Sequence, residues 1–141
     1  MIGNRGGVGF TIGLVLFASV FIIGGFLHFL RPAPYLRIIP PILPPILPWP
    51  RLLLWASGAA EILGGVGLLV RPLRRAAASG LALLLIAVFP ANIYMAVAHV
   101  LFPGFMGESW VQWLRLPLQI PLLLWALHYA KSYPTHETEE P

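Results

Sequence analysis

The sequence contains no cysteine. This absence excludes thiol redox chemistry, thiolate metal sites and covalent haem attachment through this polypeptide. Charged side chains are also scarce: they make up 10% of the 141 residues, whereas a soluble domain carries about 25%. With 58% hydrophobic residues, the composition is that of a membrane protein rather than of a soluble catalytic domain. The lipid bilayer is therefore the first predicted partner of this chain.

Acidic residues are the rarest charged group, with five glutamates against nine basic side chains. Three of the five, Glu137, Glu139 and Glu140, fall in the polar stretch 133–141, which we expect to be a disordered, solvated tail and not a metal site. The net charge is +4. Because most arginines lie at the ends of apolar runs, this excess indicates membrane topology and not nucleic-acid binding.

Four apolar runs are long enough to cross the roughly 30 Å of bilayer hydrocarbon. They cover residues 8–30, 52–70, 76–102 and 113–130. We therefore predict an all-α membrane protein, with one domain over residues 1–132 that forms a bundle of four transmembrane helices. The proline-rich segment between the first two runs is expected to be extended, to lie in the outer interface and to cap the mouth of the bundle.

The distribution of basic residues predicts the orientation of the bundle. One side would carry five of them, Arg5, Arg71, Arg74, Arg75 and Lys131. The opposite side would carry three, Arg31, Arg37 and Arg51. Cytoplasmic loops are enriched in lysine and arginine, so we expect a multi-pass protein with both termini in the cytoplasm.

Glu61 is the acid that falls near the middle of an apolar run. An acid in hydrocarbon is costly, so such residues usually face a bundle interior and mark a functional pathway. Ser57, Gly64 and Gly65 share its helix face, and small residues of this kind allow another helix to approach closely. Glu61 is therefore the candidate catalytic residue, with the role of holding or relaying a proton.

Four further polar residues are predicted to collect around Glu61. Antiparallel spans would place His28, Asn92, Arg115 and Gln119 in the outer half of the bundle, whereas the inner half is almost wholly apolar. Arg115 could neutralise Glu61 directly or through Gln119. The alternatives are structural: His28 and Arg115 could reach the lipid headgroups, and Asn92 could join two helices. A pocket of this chemistry suits the polar head of a lipid-soluble molecule or a small anion.

Several motifs, in the same order along the chain, resemble the DoxX-like family of small integral membrane proteins. They are GGFLHF with PxxY at 24–35, IIPPILP at 38–44, SGAAEILGGVGLL at 57–69, RPLRRAA at 71–77, FPANIYMA at 89–96 and LRLPLQI at 114–120. The resemblance covers most of the chain. It implies a four-helix bundle in the cytoplasmic membrane of a prokaryote, and the family's characteristic polar residues fall on His28, Glu61, Asn92, Arg115 and Gln119.

The family is named after a subunit of a thiosulfate:quinone oxidoreductase, and other members are linked to membrane redox or oxidative-stress complexes. The leading hypothesis is therefore a quinone- or small-ligand-binding subunit of a membrane oxidoreductase. In it His28, Asn92 and Gln119 hydrogen-bond the ligand, Arg115 stabilises negative charge, and Glu61 handles a proton. The possible cofactor is a quinone. The sequence has no recognisable motif for a covalently attached cofactor or a metal, so electrons would come from a redox partner protein or a ligand.

The alternative is a non-enzymatic membrane scaffold or assembly factor, whose polar residues only lock the helices together. Whether the chain is itself an enzyme stays open between these two hypotheses. A small transporter is disfavoured, because an apolar inner half offers no water path. A homo-oligomer could form through the faces of small residues.

Overall fold

The structure, a computed structural model, describes residues 7–41, 49–100 and 108–131. Within these ranges the chain is helical and forms no strand, which confirms the all-α prediction. The helices are α1 (Val8–Leu30), α2 (Pro32–Arg37), α3 (Pro50–Leu69), α4 (Arg74–Val97) and α5 (Ser109–Lys131), and a 3₁₀ turn (Arg71–Leu73) precedes α4. The predicted tail at 133–141 lies outside the described residues.

Three segments of the described part are long and apolar enough to cross a membrane: α1, α3 and the segment Arg71–Val97 that contains α4. Their outward side chains are strongly apolar, as Leu63 and Leu83 show with exposures of 72% and 69%. Helix α5 is 23 residues long but does not meet the same criterion of hydropathy. Its polar side chains, Arg115 among them, account for the difference.

The long helices overlap the apolar runs of the sequence, but the ends of most of them differ from those of the runs. Helix α1 coincides with the span 8–30. Helix α3 begins at Pro50, two residues before the apolar run 52–70, because a proline in the first turn has no hydrogen-bonded N–H to lose. Helix α4 ends at Val97, short of the predicted 102, and His99 then takes a left-handed backbone with φ of 48°.

The proline-rich segment is not extended throughout, and that prediction is wrong for α2. Pro32 opens this short helix, where the fixed φ of proline suits the first turn. Pro34 lies within the same turn, where the absent N–H would have had no helical partner. The prolines that were expected to forbid a helix therefore start one. Residues 42–48 of the same segment lie outside the described residues.

Neighbouring long helices pack antiparallel in chain order: α1 on α3, α3 on α4, and α4 on α5. The contact between α1 and α3 depends on glycine. A Cβ at Gly25 would lie 2.6 Å from the carbonyl oxygen of Gly58, and one at Gly65 would lie 2.8 Å from that of Ala18. Side chains cannot fit at such distances, so the backbones approach as closely as small-residue interfaces in membranes allow.

The apolar core lies towards the end of the bundle that carries the Arg71–Leu73 turn. Phe17 is 1% exposed, and its ring centroid lies 5.0 Å from that of Trp125 and 5.9 Å from that of Tyr129. These rings connect α1 to α5 and close the bundle. Leu68 and Leu81 from α3 and α4 complete the core.

Candidate functional site

The end of the bundle opposite that core brings Glu61 and His28 together. Glu61 Oε2 lies 3.7 Å from His28 Nδ1, and the two side chains are only 15% and 11% exposed. Glycine makes room for them, since a Cβ at Gly24 would lie 3.1 Å from that carboxylate oxygen. A Cβ at Gly58 would lie 2.8 Å from His28 Cβ. The same close approach that joins α1 to α3 therefore places the acid against the imidazole.

The hydrogen bond of His28 defines which of its nitrogens carries a proton. Nδ1 lies 2.9 Å from the carbonyl oxygen of Gly24, one helical turn earlier. A carbonyl oxygen only accepts, so Nδ1 donates, and Nε2 is left as the nitrogen that can take up or release a proton. At 3.7 Å the contact with Glu61 is an ion-pair distance and too long for a hydrogen bond.

Tyr35, from α2, covers His28 and was not among the predicted site residues. The two ring centroids are 4.1 Å apart with an interplanar angle of 31°. Burial raises the pKa of the Tyr35 phenol above its usual value of 10.0; the charge of Glu61 raises it further, and that of Arg115 lowers it. Tyr35 therefore lies within the electrostatic reach of both charged groups.

The sequence signal for Tyr35 was its position three residues after Pro32. Read as the first turn of a helix, that spacing places the tyrosine on a defined helix face above the carboxyl end of α1. In an extended chain, the same spacing does not predict which neighbouring residues the tyrosine side chain would contact. The wrong prediction for this segment and the missed residue have the same cause.

Asn92 and Gln119 form a second group, between α4 and α5. Asn92 Nδ2 donates to Gln119 Oε1 at 2.8 Å, and Gln119 Nε2 donates to the backbone carbonyl of Leu85. Nearer the end of the bundle, Gln112 Nε2 donates to the carbonyl of Val100 at 2.6 Å. These amides connect α5 to α4 and to the residues that follow it, as polar residues between transmembrane helices commonly do.

Arg115 connects the two groups. Its Nη1 lies 3.7 Å from the sulfur of Met95 on α4, and its charge acts on the phenol of Tyr35. The expected neutralisation of Glu61 by Arg115, directly or through Gln119, stays a prediction. His28 Nδ1 lies 3.7 Å from the Glu61 carboxylate, and Gln119 bonds to Asn92. Tyr35 is the group that both Arg115 and Glu61 influence.

All five predicted site residues thus lie towards one end of the bundle, but in two groups. His28 and Glu61, with Tyr35, form a compact acid, imidazole and phenol cluster that can exchange protons and donate hydrogen bonds. Asn92 and Gln119 bond to each other, and Arg115 lies between the groups. Across the described ranges, no three His, Cys, Asp or Glu side chains are grouped to hold a metal ion.

Comparison with known sequences identifies a family without an assigned role. Residues 17–130 match the family described as a domain of unknown function, DUF8561. The match includes every residue of the polar end discussed above. No curated protein and no solved structure matches the chain.

Proposed function

We propose that this chain, which belongs to the DUF8561 family, is a four-span integral membrane protein that binds the polar head of a quinone. The observation that carries the proposal is the cluster of Glu61, His28 and Tyr35 between apolar helices. The resemblance of the chain to DoxX-like proteins would make the protein a subunit of a membrane oxidoreductase. A quinone is lipid-soluble and presents carbonyl oxygens, so it can reach such a cluster from the bilayer.

The four-span arrangement is supported by length and register. Helix α5 has the 23 residues needed to cross, and its amide bonds hold it antiparallel against α4 along the same depth. Gln119 and Arg115 contact α4, and Gln112 contacts Val100 just after it, so these polar side chains of α5 face protein and not lipid. With four spans both termini lie on the side of the Arg71–Leu73 turn. Basic residues favour the cytoplasm, so the polar end would face outward from the cytoplasmic membrane.

Each group of the cluster has a use in quinone chemistry. Reduction of a quinone takes up protons together with electrons, so Glu61 would hold a proton beside the ring. His28 would pass a proton through Nε2, and Tyr35 would donate a hydrogen bond to a carbonyl oxygen. Arg115 would stabilise negative charge on the reduced ring. Electrons would come from a partner protein. Asn92 and Gln119, predicted as ligand-binding residues, would instead hold α4 and α5 in place.

Titration of the purified protein with short-tailed benzoquinones and naphthoquinones, followed by intrinsic tryptophan fluorescence, tests this proposal. We expect saturable quenching in wild type and about fivefold weaker binding in Glu61→Gln, since the protonated acid would donate to a quinone carbonyl and a neutral hydrogen bond is worth about 0.5–1.5 kcal/mol. Glu108→Gln is the matched control, because Glu108 is exposed and should leave binding unchanged. No saturable quenching in wild type would contradict the proposal.

The second candidate function is a scaffold or assembly factor, and the amide contacts favour it. Asn92, Gln119 and Gln112 all make interhelical or loop bonds that stabilise the bundle without needing a ligand. A scaffold predicts that Glu61→Gln lowers the yield of a co-purifying protein and leaves quinone quenching absent in all variants. A binding subunit predicts the reverse: the partner is retained and the quinone affinity is lost.

A further inference from the structure

The side of the bundle between α1 and α5 is closed by large side chains and not by closely packed backbones. Among the described residues, no Cα of α1 comes within 8 Å of a Cα of α5. Towards the Arg71–Leu73 turn, aromatic rings fill the space: the ring centroids of Phe17 and Trp125 lie 5.0 Å apart. A Cβ at Gly13 would lie 3.0 Å from Trp125 Cζ2. This part of the interface is therefore closed.

Nearer the polar end, the same two helix faces do not meet. Gly24 lies seven residues after Phe17 and so on the same face of α1. Leu118 lies seven residues before Trp125, on the face of α5 that is directed at α1, and yet it is 50% exposed. A Cβ at Gly24 would lie 3.1 Å from Glu61 Oε2, but no atom of α5 in the described part of the chain would lie within 4 Å of it. A gap therefore separates α1 from α5 at the level of Gly24 and Leu118.

This gap leads from an apolar rim to the polar cluster. The Glu61 carboxylate, beside Gly24, lies at its back, and His28 follows one turn later on α1. At the rim, Leu118 on α5 and Val20 on α1 are 50% and 54% exposed. Polarity therefore changes along the gap, from an acid and an imidazole at the back to aliphatic side chains at the outside of the bundle.

We propose that the quinone of the polar cluster carries an isoprenoid tail, and that this tail leaves the cluster through the gap between Gly24 and Leu118. The inference rests on the proposed quinone site, and it names the class of quinone and its route from the bilayer. The polarity of the gap selects this occupant, because a small polar head with an apolar tail matches both ends. The acyl chain of a phospholipid would place methylene groups against Glu61 and offer that acid no hydrogen bond.

The experiment compares two quinones with the same fully substituted ring, one without a tail and one with a tail of two isoprene units. The purified full-length protein is titrated with each and followed by native mass spectrometry, and wild type should bind both. Leu118→Trp puts an indole into the gap. Overpacking of an occupied space changes an equilibrium about five- to 150-fold, so the tailed quinone should bind at least about fivefold more weakly. The tailless quinone should change by less than about twofold.

Leu124→Trp is the matched control for this variant. Leu124 is on the same helix and is 61% exposed, on a face directed away from α1 and α4. The same substitution there adds the same indole without entering the gap, so the affinities of both quinones should stay at their wild-type values. Equal losses of the tailed quinone in Leu118→Trp and Leu124→Trp, or no loss in either, would overturn the proposed route.

A second measurement needs no variant and so does not depend on the folding of Leu118→Trp. The tailed quinone with a diazirine in its first isoprene unit, illuminated on wild type, should label α1 and α5 at the gap, with Val20 and Leu118 among the labelled residues. Labelling confined to α3 and α4 would overturn the route. A phospholipid or a second copy of the chain that Leu118→Trp releases would overturn it too, because that molecule would then occupy the gap.

The tailless quinone separates this inference from the proposed function. If wild type binds the tailless quinone but the tail neither labels the gap nor responds to Leu118→Trp, the route is wrong and the polar site stands. If wild type binds neither quinone, the site and the route are both overturned.

Discussion

At the end of the bundle that carries the basic turn, the helices meet through aromatic and aliphatic side chains, as Phe17 and Tyr129 do. At the opposite end they meet through polar groups, with Glu61 against His28. The first arrangement gives stability without chemistry. The second costs stability, because an acid and an imidazole are removed from water, and such a cost is usually maintained for a function.

Loss of Phe17 should produce the largest change in stability. Phe17→Ala removes a ring that packs on Phe21, Trp125 and Tyr129, so we expect the free energy of unfolding in detergent to fall by about 3 kcal/mol. Quinone binding by the folded fraction should be unchanged. Phe26→Ala is the control, since Phe26 is 51% exposed and should cost less than about 1 kcal/mol. A loss of quinone affinity in Phe17→Ala would show that the two ends are not independent.

Two glycines on the same helix interface distinguish the ends more sharply. Gly58→Ala and Gly65→Ala each place a Cβ within 3 Å of a carbonyl oxygen of α1, so each should cost about 1–3 kcal/mol of unfolding free energy. Only the Cβ at position 58 also meets His28. Gly58→Ala should therefore weaken quinone binding, and Gly65→Ala should not. Equal effects on binding would contradict the proposed role of His28.

The amide pair should contribute a smaller amount, and only to stability. A double-mutant cycle of Asn92→Leu and Gln119→Leu, measured by unfolding in detergent, should give a coupling free energy of about 0.6 kcal/mol, the average for hydrogen bonds between transmembrane helices. Quinone affinity should change by less than about twofold in either variant. A tenfold loss of affinity would instead support the sequence-based prediction that Asn92 and Gln119 bind the ligand.

Replacing Tyr35 should have the smallest effect on stability, and this effect should appear only at alkaline pH. The folded pKa of Tyr35 lies above its ordinary value of 10.0. The folded protein therefore holds more protons than the unfolded chain above about pH 10, so stability is unaffected below that pH and falls as the pH rises towards the folded pKa. Tyr35→Phe should remove this slope in thermal unfolding curves, and Tyr94→Phe should retain it. An unchanged slope in Tyr35→Phe would place the phenol outside the cluster.

The sequence could predict the helices and the end of the bundle where the polar residues collect, because hydropathy and antiparallel connection determine depth. It could not predict which residues pair. The contact of His28 with Glu61 depends on how closely Gly25 and Gly58 let two backbones approach. Hydropathy predicts how deep a residue lies along the bundle, but it does not predict the distance between two helices. Tyr35 was missed because the prolines were read as helix breakers, although Pro32 stands where proline starts a helix.

The most direct test of the account is native mass spectrometry with lipid extraction on protein purified in mild detergent, comparing wild type with Glu61→Gln. The account predicts a retained quinone in wild type, identified by mass and by its redox-dependent absorbance in the extract, and its loss from Glu61→Gln while the variant stays folded. If wild type and variant are both free of quinone, and a protein that co-purifies with wild type is recovered in lower yield with Glu61→Gln, the result would contradict the binding site and favour the scaffold.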